Sequence, residues 1–214
     1  MSSKESSSES GMPEARGRRI PIAPGDGRPA SLGFIPETFS VRNGTRLAVC
    51  VHGISRDHHE QIELLKDEAT AHGYALLALH FDEATWSDYQ RLGRRGRGSR
   101  ADIGLDLAIE RFEMQLGMRF AERFLIGFSG GAQFVHRYVM AHPGKVRAAV
   151  CAASGWYTMP DSTRKYPYGL RVDGALSGVH LEPEEFLRVP VLTAVGSADT
   201  TTQALRSTKK LDAQ

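Results

Sequence analysis

One serine in this chain has neighbours that could turn it into a nucleophile. Ser129 lies in the stretch GFSGGAQ, directly after the apolar run of residues 124–126 and before a second apolar, helix-like run. A sharp turn from strand to helix needs neighbours without a Cβ, and Gly127 and Gly131 meet that need. The pattern Gly-x-Ser-x-Gly in this setting is typical of a serine that attacks carbonyl groups. The alternative is a passive serine in an ordinary turn.

Gly130 would complete such a site. Its amide is expected at the first turn of the following helix, at the positive end of the helix dipole. A developing oxyanion would be stabilised there. The local chemistry is therefore that of acyl transfer through Ser129.

The overall composition is that of a globular domain with no sign of a cofactor. Of 214 residues, 41% are apolar and 24% charged, and the net charge of +2 gives no reason to expect a nucleic-acid partner. No apolar stretch approaches the ~20 residues that span a bilayer. The adjacent His58, His59 and Glu60 do not share a helix face, so no metal site is predicted. The expected partner is a small-molecule substrate, and the oligomeric state is left open.

The two ends of the chain carry different signals. Residues 1–19 are rich in serine, charge and glycine and lack the apolar core of a secretion signal. They predict a disordered tail over residues 1–30, followed by one domain over residues 31–214. Cys50 and Cys151 lie in apolar runs and are expected to be buried free thiols, which together with the missing signal predicts a cytoplasmic location.

Apolar runs alternate with helix-like segments from about residue 37 onward. This alternation predicts an α/β fold, a mostly parallel sheet with helices on both faces, in which ligands bind at the carboxyl ends of the strands. Asn43-Gly44, between two extended runs, predicts a hairpin. The segment that begins at residue 201 predicts one more helix.

Three motifs together resemble the α/β-hydrolase family. They are VCVHGISRD at residues 49–57, GFSGGAQ at residues 127–133 and TAVGSADT at residues 193–200. The resemblance runs from about residue 37 to the end, and within the family bacterial esterases and depolymerases are the most similar. It implies a serine hydrolase that acts on ester bonds.

The resemblance also implies a role for each motif. Ser129 would be the nucleophile on the nucleophile elbow of the family. Gly130 and Ile54 would supply the two amides of the oxyanion hole, and His52 and Gly53 would shape the oxyanion loop. Asp199 would be the acid of the triad, because it follows an apolar strand directly. Its rivals Asp161 and Asp173 do not.

The histidine of the triad is missing from its expected place. The family order is serine, acid, histidine, yet no histidine follows Asp199. The expectation is therefore an α/β-hydrolase fold that is C-terminally truncated, and inactive unless another histidine serves as the base. His80, His180 or the His58–His59 pair could substitute as the base. A non-catalytic binding protein with this fold, or a truncated remnant, is the alternative function.

Two loops that follow strands could frame the serine. Residues 82–100 contain five arginines, which could form an anion clamp for a carboxylate-bearing or phosphorylated substrate, or a solvated basic loop tied to Asp102 or Asp106. Residues 155–169 are aromatic and could bind an apolar acyl group or pack as a small lid. The possible substrate-pocket residues are Trp86, Tyr89, Trp156 and Tyr157.

Overall fold

A computed structural model describes residues 16–200 of the chain as one seven-stranded sheet flanked by helices. The strands are β1 (Gly17–Ile22), β2 (Ala30–Pro36), β3 (Arg46–Val51), β4 (Ala75–His80), β5 (Glu122–Phe128), β6 (Ala148–Ala152) and β7 (Val191–Ala194). Their order across the sheet is β1-β2-β4-β3-β5-β6-β7. Strands β3 to β7 are parallel, whereas β1 and β2 are antiparallel to their neighbours. The predicted fold class is confirmed.

The helices cover the two faces of the sheet. They are α1 (His58–His72), α2 (Ala101–Leu116), α3 (Gly130–Ala141) and the short α4 (Pro183–Phe186). One apolar core joins Ile62 and Ala69 of α1 to one face of the central strands. A larger core joins α2 and α3 to the other face. Burial on both faces explains why β3 and β4 read as continuous apolar runs.

Local signals set the ends of the helices. Asp57 caps α1, since its carboxylate accepts hydrogen bonds from the backbone N–H of His59 at 2.9 Å and of Glu60 at 3.0 Å. Gly73 ends the helix in a left-handed conformation with φ of 68°. These caps fix where α1 begins, directly after the loop that leaves β3.

The expected tail over residues 1–30 extends too far. Residues 17–22 form β1, which pairs along its whole length with β2. Ile22 is buried in the larger core, and Pro21, which lacks an N–H, is tolerated because β1 is an edge strand. The charged composition of the region concealed this short alternating strand. Residues 1–15 lie outside the described residues.

The hairpin predicted at Asn43-Gly44 is wrong. β2 pairs with β1 and β4, and β3 pairs with β4 and β5. Gly44 instead ends a 3₁₀ turn at Val41–Asn43, with φ of 86°. The turn lets the chain cross from β2 to the centre of the sheet.

Two further expectations concern the ends of the chain and the membrane. The helix predicted from residue 201 falls outside the described residues. Within residues 16–200, no helix has both the length and the apolar character to cross a bilayer.

Candidate active site

Ser129 lies at a strained corner between β5 and α3. Its φ of 52° and ψ of −111° are rare for a residue with a side chain and cost about 1–3 kcal/mol. The backbone is held from both sides: Ser129 N–H donates to Ala152 O at 2.8 Å, and Ser129 O accepts from Gln133 N–H at 3.2 Å. The surrounding structure therefore imposes the strained conformation.

The two glycines that flank the serine are required by close contacts between backbones. A Cβ on Gly127 would lie 2.4 Å from Gly131 O. A Cβ on Gly131 would lie 2.1 Å from Val51 O, at the end of β3. The glycines of the motif are thus needed because β3, β5 and the start of α3 pack closely against one another at this corner.

The hydroxyl of Ser129 has no partner among the residues that the structure describes. Within residues 16–200, no side-chain hydrogen bond engages Ser129 Oγ, and the residue is half-exposed. It stands at the carboxyl end of β5, where an open parallel sheet binds its ligands. The hydroxyl is free to meet a substrate.

His52 is a structural residue below the loop after β3. It is fully buried, its Nδ1 lies 2.8 Å from Gly53 O, and its Nε2 accepts from Phe81 N–H at 3.0 Å. These bonds assign the proton to Nδ1 and keep the ring neutral. Burial lowers the pKa of His52 to about 4, and nearby Arg56 acts in the same direction.

The carbonyl of Gly53 is pinned by three donors. It accepts from His52 Nδ1 at 2.8 Å, from the Tyr89 hydroxyl at 3.1 Å and from Arg56 N–H at 3.3 Å. The N–H of Ile54 belongs to the same trans peptide unit, so it points away from these donors. A Cβ on Gly53 would lie 3.4 Å from Ser129 Cβ, which places this peptide beside the serine.

Gly130 begins α3 next to the serine. Its N–H is one of those that a helix cannot satisfy internally. A Cβ on Gly130 would lie 2.5 Å from Gln90 Nε2 and 2.7 Å from the Tyr89 hydroxyl oxygen. Tyr89 and Gln90 therefore cover this end of α3.

Asp199 lies in a turn after β7 and is exposed. Its backbone N–H donates to Gly196 O at 3.0 Å, and its carboxylate has no hydrogen bond within the described part of the chain. Both rivals are engaged at the surface. Asp161 accepts from the Thr163 backbone and hydroxyl, and Asp173 pairs with Arg171.

Most of the buried histidines are committed elsewhere. His136 lies between Ala132 O and the backbone N–H of Thr158, and burial lowers its pKa well below the usual range. His142 pairs with Asp102 at 3.0 Å. No hydrogen bond of residues 16–200 joins a histidine to Ser129 Oγ.

Two of the histidines considered as substitutes stack on each other. The rings of His58 and His80 are 4.8 Å apart and nearly parallel, at 8°. His80 lies 6.3 Å from the ring of His52. Burial, followed by repulsion from neighbouring histidines, lowers the pKa of His58 to about 4. His59 and His180 are exposed.

Of the four aromatic residues expected in a substrate pocket, the structure places two in the interior. Trp86 is 2% exposed and packs on Phe81 and Gly104, so the prediction that it lines a pocket is wrong. Tyr89 is equally buried, and its hydroxyl supports the loop after β3 instead. The bulk of an indole fits the space that Gly104 leaves on α2.

Trp156 and Tyr157 lie in the loop after β6 and are half-buried. The Arg91 guanidinium lies over the Trp156 ring at 5.8 Å, while Tyr157 packs on His136 at 4.9 Å. Both carry a buried polar atom that has no hydrogen-bond partner in the described part of the chain: Nε1 of Trp156 and the hydroxyl of Tyr157.

The five arginines of the loop over residues 82–100 divide into three groups. Arg100 forms a two-point ion pair with Asp102, one of the partners that the sequence suggested. Arg95 and Arg97 are exposed. Arg91 and Arg94 turn inward to Asp88, a buried residue that the sequence analysis did not single out.

Arg137 on α3 was also missed from the sequence. It is fully buried on a helix whose twelve residues are all buried. An arginine within such an apolar segment was the available signal, because a buried guanidinium needs partners that only the tertiary structure can reveal.

A separate apolar groove of about 790 Å³ lies on the α1 face of the sheet. Strand faces rather than strand ends line it, and Ser129 is not part of it. Its lining includes Ala48, Leu76, Phe124, Ile126, Val150 and Leu192.

The fold as a whole is shared with known structures. Poly(aspartic acid) hydrolase-1 from Sphingomonas sp. KT-1 superposes with a TM-score of 0.72 at 22% identity, covering 92% of this chain and 78% of that one. The fold is that of an α/β-hydrolase. LpqC, a poly(3-hydroxybutyrate) depolymerase from Bordetella parapertussis, gives a TM-score of 0.69 at 22% identity, over 90% of this chain and 69% of that one.

A third similar structure with this hydrolase fold is FphF, a fluorophosphonate-binding serine hydrolase of Staphylococcus aureus. Its TM-score is 0.60 at 17% identity, covering 92% of this chain and 84% of the other. No protein-family model and no curated protein matches the sequence. At these identities the likeness establishes the hydrolase fold, and the chemistry has to be argued from the residues.

Proposed function

We propose that this chain is a serine hydrolase that cleaves esters through Ser129. The observation that carries the proposal is the strained corner, which holds an unpartnered hydroxyl at the carboxyl edge of the sheet. A backbone cost of about 1–3 kcal/mol at one residue is typical of functional sites. A passive serine would gain nothing from it.

The proposed reaction proceeds by acyl transfer. Ser129 Oγ attacks the ester carbonyl carbon and loses its proton to a base, while the carbonyl oxygen becomes an oxyanion. The N–H groups of Gly130 and Ile54 stabilise that oxyanion, forming an oxyanion hole. The tetrahedral intermediate collapses, the alcohol leaves with a proton, and water then releases the acid and regenerates Ser129.

The pinned peptide after Gly53 supports this assignment of donors. Three hydrogen bonds hold the Gly53 carbonyl, so the N–H of Ile54 cannot rotate away. Removing one preorganised donor of this kind costs about 2.7–4 kcal/mol of transition-state stabilisation. In this proposal His52 and Tyr89 are positioning residues, because they act through the Gly53 peptide.

Asp199 is proposed as the acid that orients the catalytic base. It follows β7, on the same edge of the sheet at which Ser129 follows β5. The names of the three similar structures, a hydrolase, a depolymerase and a serine hydrolase, support hydrolysis as the type of reaction.

The test is hydrolysis of p-nitrophenyl butyrate by the full chain and by two serine variants. Ser129→Ala is expected to abolish turnover. Ser87→Ala, which changes an exposed serine in a loop near the site, serves as the matched control and retains it. Turnover that survives Ser129→Ala would refute the proposal.

A second candidate function is ester binding without catalysis. The observation in its favour is that no histidine among residues 16–200 bonds to Ser129 Oγ, and losing the base of such a site costs on the order of a million-fold in turnover. Under this alternative the chain binds an ester saturably and leaves it intact. Hydrolysis that depends on Ser129 would exclude it.

A further inference from the structure

A buried group of charged side chains lies between the two loops that flank Ser129. We call it the arginine cluster: Arg91, Arg94 and Arg137, with Asp88 and Tyr166. Residues 88–94 belong to the loop after β4, Arg137 to α3, and Tyr166 to the loop after β6. The proposed hydrolysis makes no use of these residues.

Arg137 is the most buried member. Its Nε donates to the Thr158 hydroxyl at 2.9 Å, and its Nη1 donates to Gln90 O at 2.7 Å. Its Nη2 has no partner within the described residues. Burial lowers the pKa of Arg137 to about 10, and the guanidiniums of Arg91 and Arg94 act in the same direction.

The positive charges of the cluster exceed the negative ones. Asp88 is its only carboxylate, with Oδ1 held by Arg91 Nη1 at 2.6 Å and Oδ2 at 3.6 Å from Arg94 Nε. Three guanidiniums thus face one carboxylate. The nearby acids are engaged elsewhere: Asp102 by Arg100 and His142, and Asp106 by Tyr138 and Lys145.

Unpartnered atoms in the cluster are mostly donors. Among the described residues, Arg94 Nε, Arg137 Nη2 and the Tyr166 hydroxyl are buried without hydrogen bonds, against one such acceptor, Asp88 Oδ2. Tyr166 is 4% exposed; burial raises the pKa of its hydroxyl, whereas the charges of Arg137 and Arg94 lower that pKa. A buried donor left unpaired is destabilising, so the cluster favours an added acceptor that carries negative charge.

Two series of contacts and chain neighbours link the cluster to the surroundings of Ser129. Gln90, which covers Gly130 and whose carbonyl binds Arg137, is the neighbour of Arg91 in the chain. Arg91 in turn lies over Trp156, four residues after Ala152, whose carbonyl holds Ser129 N–H. The side chains of Arg91 and Arg94 are 25% and 20% exposed, so the cluster is partly open to solvent.

We propose that the arginine cluster binds a carboxylate on the ester substrate, so that the preferred substrates are esters of dicarboxylic or other carboxyl-bearing acids. This inference rests on the proposed function of Ser129. A planar guanidinium pairs with a carboxylate through two parallel hydrogen bonds, and the tyrosine hydroxyl adds a third donor. A monoanion also reduces the excess of two positive charges without reversing it.

Direct binding tests the cluster independently of catalysis. Titration calorimetry with succinate on the full chain is expected to show saturable binding. Arg94→Met is expected to weaken it by roughly 10- to 100-fold, the range for one charge-assisted bond. Arg95→Met is the matched control, because Arg95 is an exposed arginine of the same loop, and it leaves binding unchanged. Tighter binding of inorganic phosphate than of succinate would overturn the carboxylate assignment.

Kinetics provide the second arm. The measured quantity is the ratio of kcat/KM for p-nitrophenyl hemisuccinate to kcat/KM for the neutral p-nitrophenyl butyrate. Arg94→Met is expected to lower this ratio about 10- to 100-fold, whereas Arg95→Met leaves it unchanged. If Arg94→Met does not fold by circular dichroism, Arg91→Lys replaces it, since lysine keeps the charge and loses the planar fork.

The outcomes separate the two proposals. Succinate binding that depends on Arg94, without hydrolysis of either ester, supports the cluster and counts against catalysis by Ser129. Hydrolysis of both esters with a ratio that Arg94→Met does not change overturns the cluster and leaves the serine hydrolase intact.

Discussion

The corner at Ser129 and the turn at Asp199 are built in opposite ways, although both follow strands at the same edge of the sheet. The corner is enclosed by β3, β5 and α3. A Cβ on Gly127 or on Gly131 would collide with backbone atoms. In the turn, every residue from 192 to 200 is exposed, with Leu192 at 62% and Val195 at 71%. β7 pairs only with β6 within the described residues.

The difference shows what holds a reactive group in place. Ser129 keeps a costly backbone conformation because several segments impose it together. Asp199 is placed by a local turn with one bond to Gly196. A substitution at the corner should therefore lower the stability of the whole fold. A substitution at the turn should affect ester turnover and leave stability nearly unchanged.

The largest effect is expected from adding a methyl group at the corner. Gly131→Ala places a Cβ 2.1 Å from Val51 O and should lower the free energy of unfolding by at least about 3 kcal/mol. Gly196→Ala is the matched change in the turn, where the nearest atom is Asp199 Cβ at 3.8 Å, and should stay within about 0.5 kcal/mol. Urea unfolding measures both. Equal effects would remove the distinction between the two regions.

The second effect is a pH dependence from the neutral histidine beneath the corner. The pKa of His52 is about 4 in the folded chain against 6.5 when unperturbed, because burial disfavours the charged ring. Above pH 6.5 neither state binds the proton. As the pH falls from 6.5 to 4, the unfolded state binds it first, and His52 loses up to about 3 kcal/mol of its contribution to stability.

A variant isolates this effect from the rest of the chain. The difference in unfolding free energy between wild type and His52→Gln should narrow by about 3 kcal/mol between pH 6.5 and pH 4. If the difference in unfolding free energy between wild type and His52→Gln stayed constant with pH, His52 would not be held neutral in the folded chain.

Removing one hydroxyl should have a smaller effect. Tyr89→Phe loses the donor to the carbonyls of His52 and Gly53, at 3.1 Å each, and should cost about 1–2 kcal/mol in urea unfolding. It should also lower ester turnover, because the peptide of Ile54 becomes less fixed. Tyr168→Phe is the control, since no hydrogen bond of its hydroxyl occurs within the described residues. A Tyr89→Phe variant that keeps its free energy of unfolding but loses ester turnover would show that the hydroxyl positions the Ile54 peptide. If neither the free energy of unfolding nor ester turnover changed, the role given to Tyr89 would be contradicted.

The smallest change in stability is expected at the turn itself. Asp199→Asn should alter the free energy of unfolding by less than about 0.5 kcal/mol, because its exposed carboxylate bonds to nothing in the described structure. Ester turnover should nevertheless fall if Asp199 orients the base. Asp161→Asn, at another surface carboxylate, should leave turnover unchanged. Full activity in Asp199→Asn would remove it from the site.

The sequence predicted the architecture well wherever burial was one-sided or complete. The apolar runs at residues 46–51, 75–80 and 122–128 became parallel strands, and the first two are covered on both faces. The failures came from short elements. β1 was hidden by its arginines, and Asn43-Gly44 suggested a hairpin although β2 pairs with β4, a long-range choice that local turn chemistry does not encode.

The site was predictable only in part, for a related reason. Ser129 and its glycines form a local motif, so the sequence displays them directly. The arginine cluster and the support from Tyr89 depend on contacts between segments far apart in the chain, such as Arg137 with Gln90. Trp86 was misplaced for the same cause: a tryptophan after a strand does not reveal that Gly104 leaves room for it in the core.

The central claim is that the corner presents Ser129 Oγ as a nucleophile, and covalent labelling tests it most directly. Trypsin releases residues 124–137 as one peptide, in which Ser129 is the only hydroxyl-bearing side chain. After treatment of the folded chain with a fluorophosphonate, we expect mass spectrometry to find the adduct on this peptide, and to lose it when the chain is first unfolded in urea. An unmodified peptide from the folded chain, or equal labelling of the unfolded chain, would contradict the account.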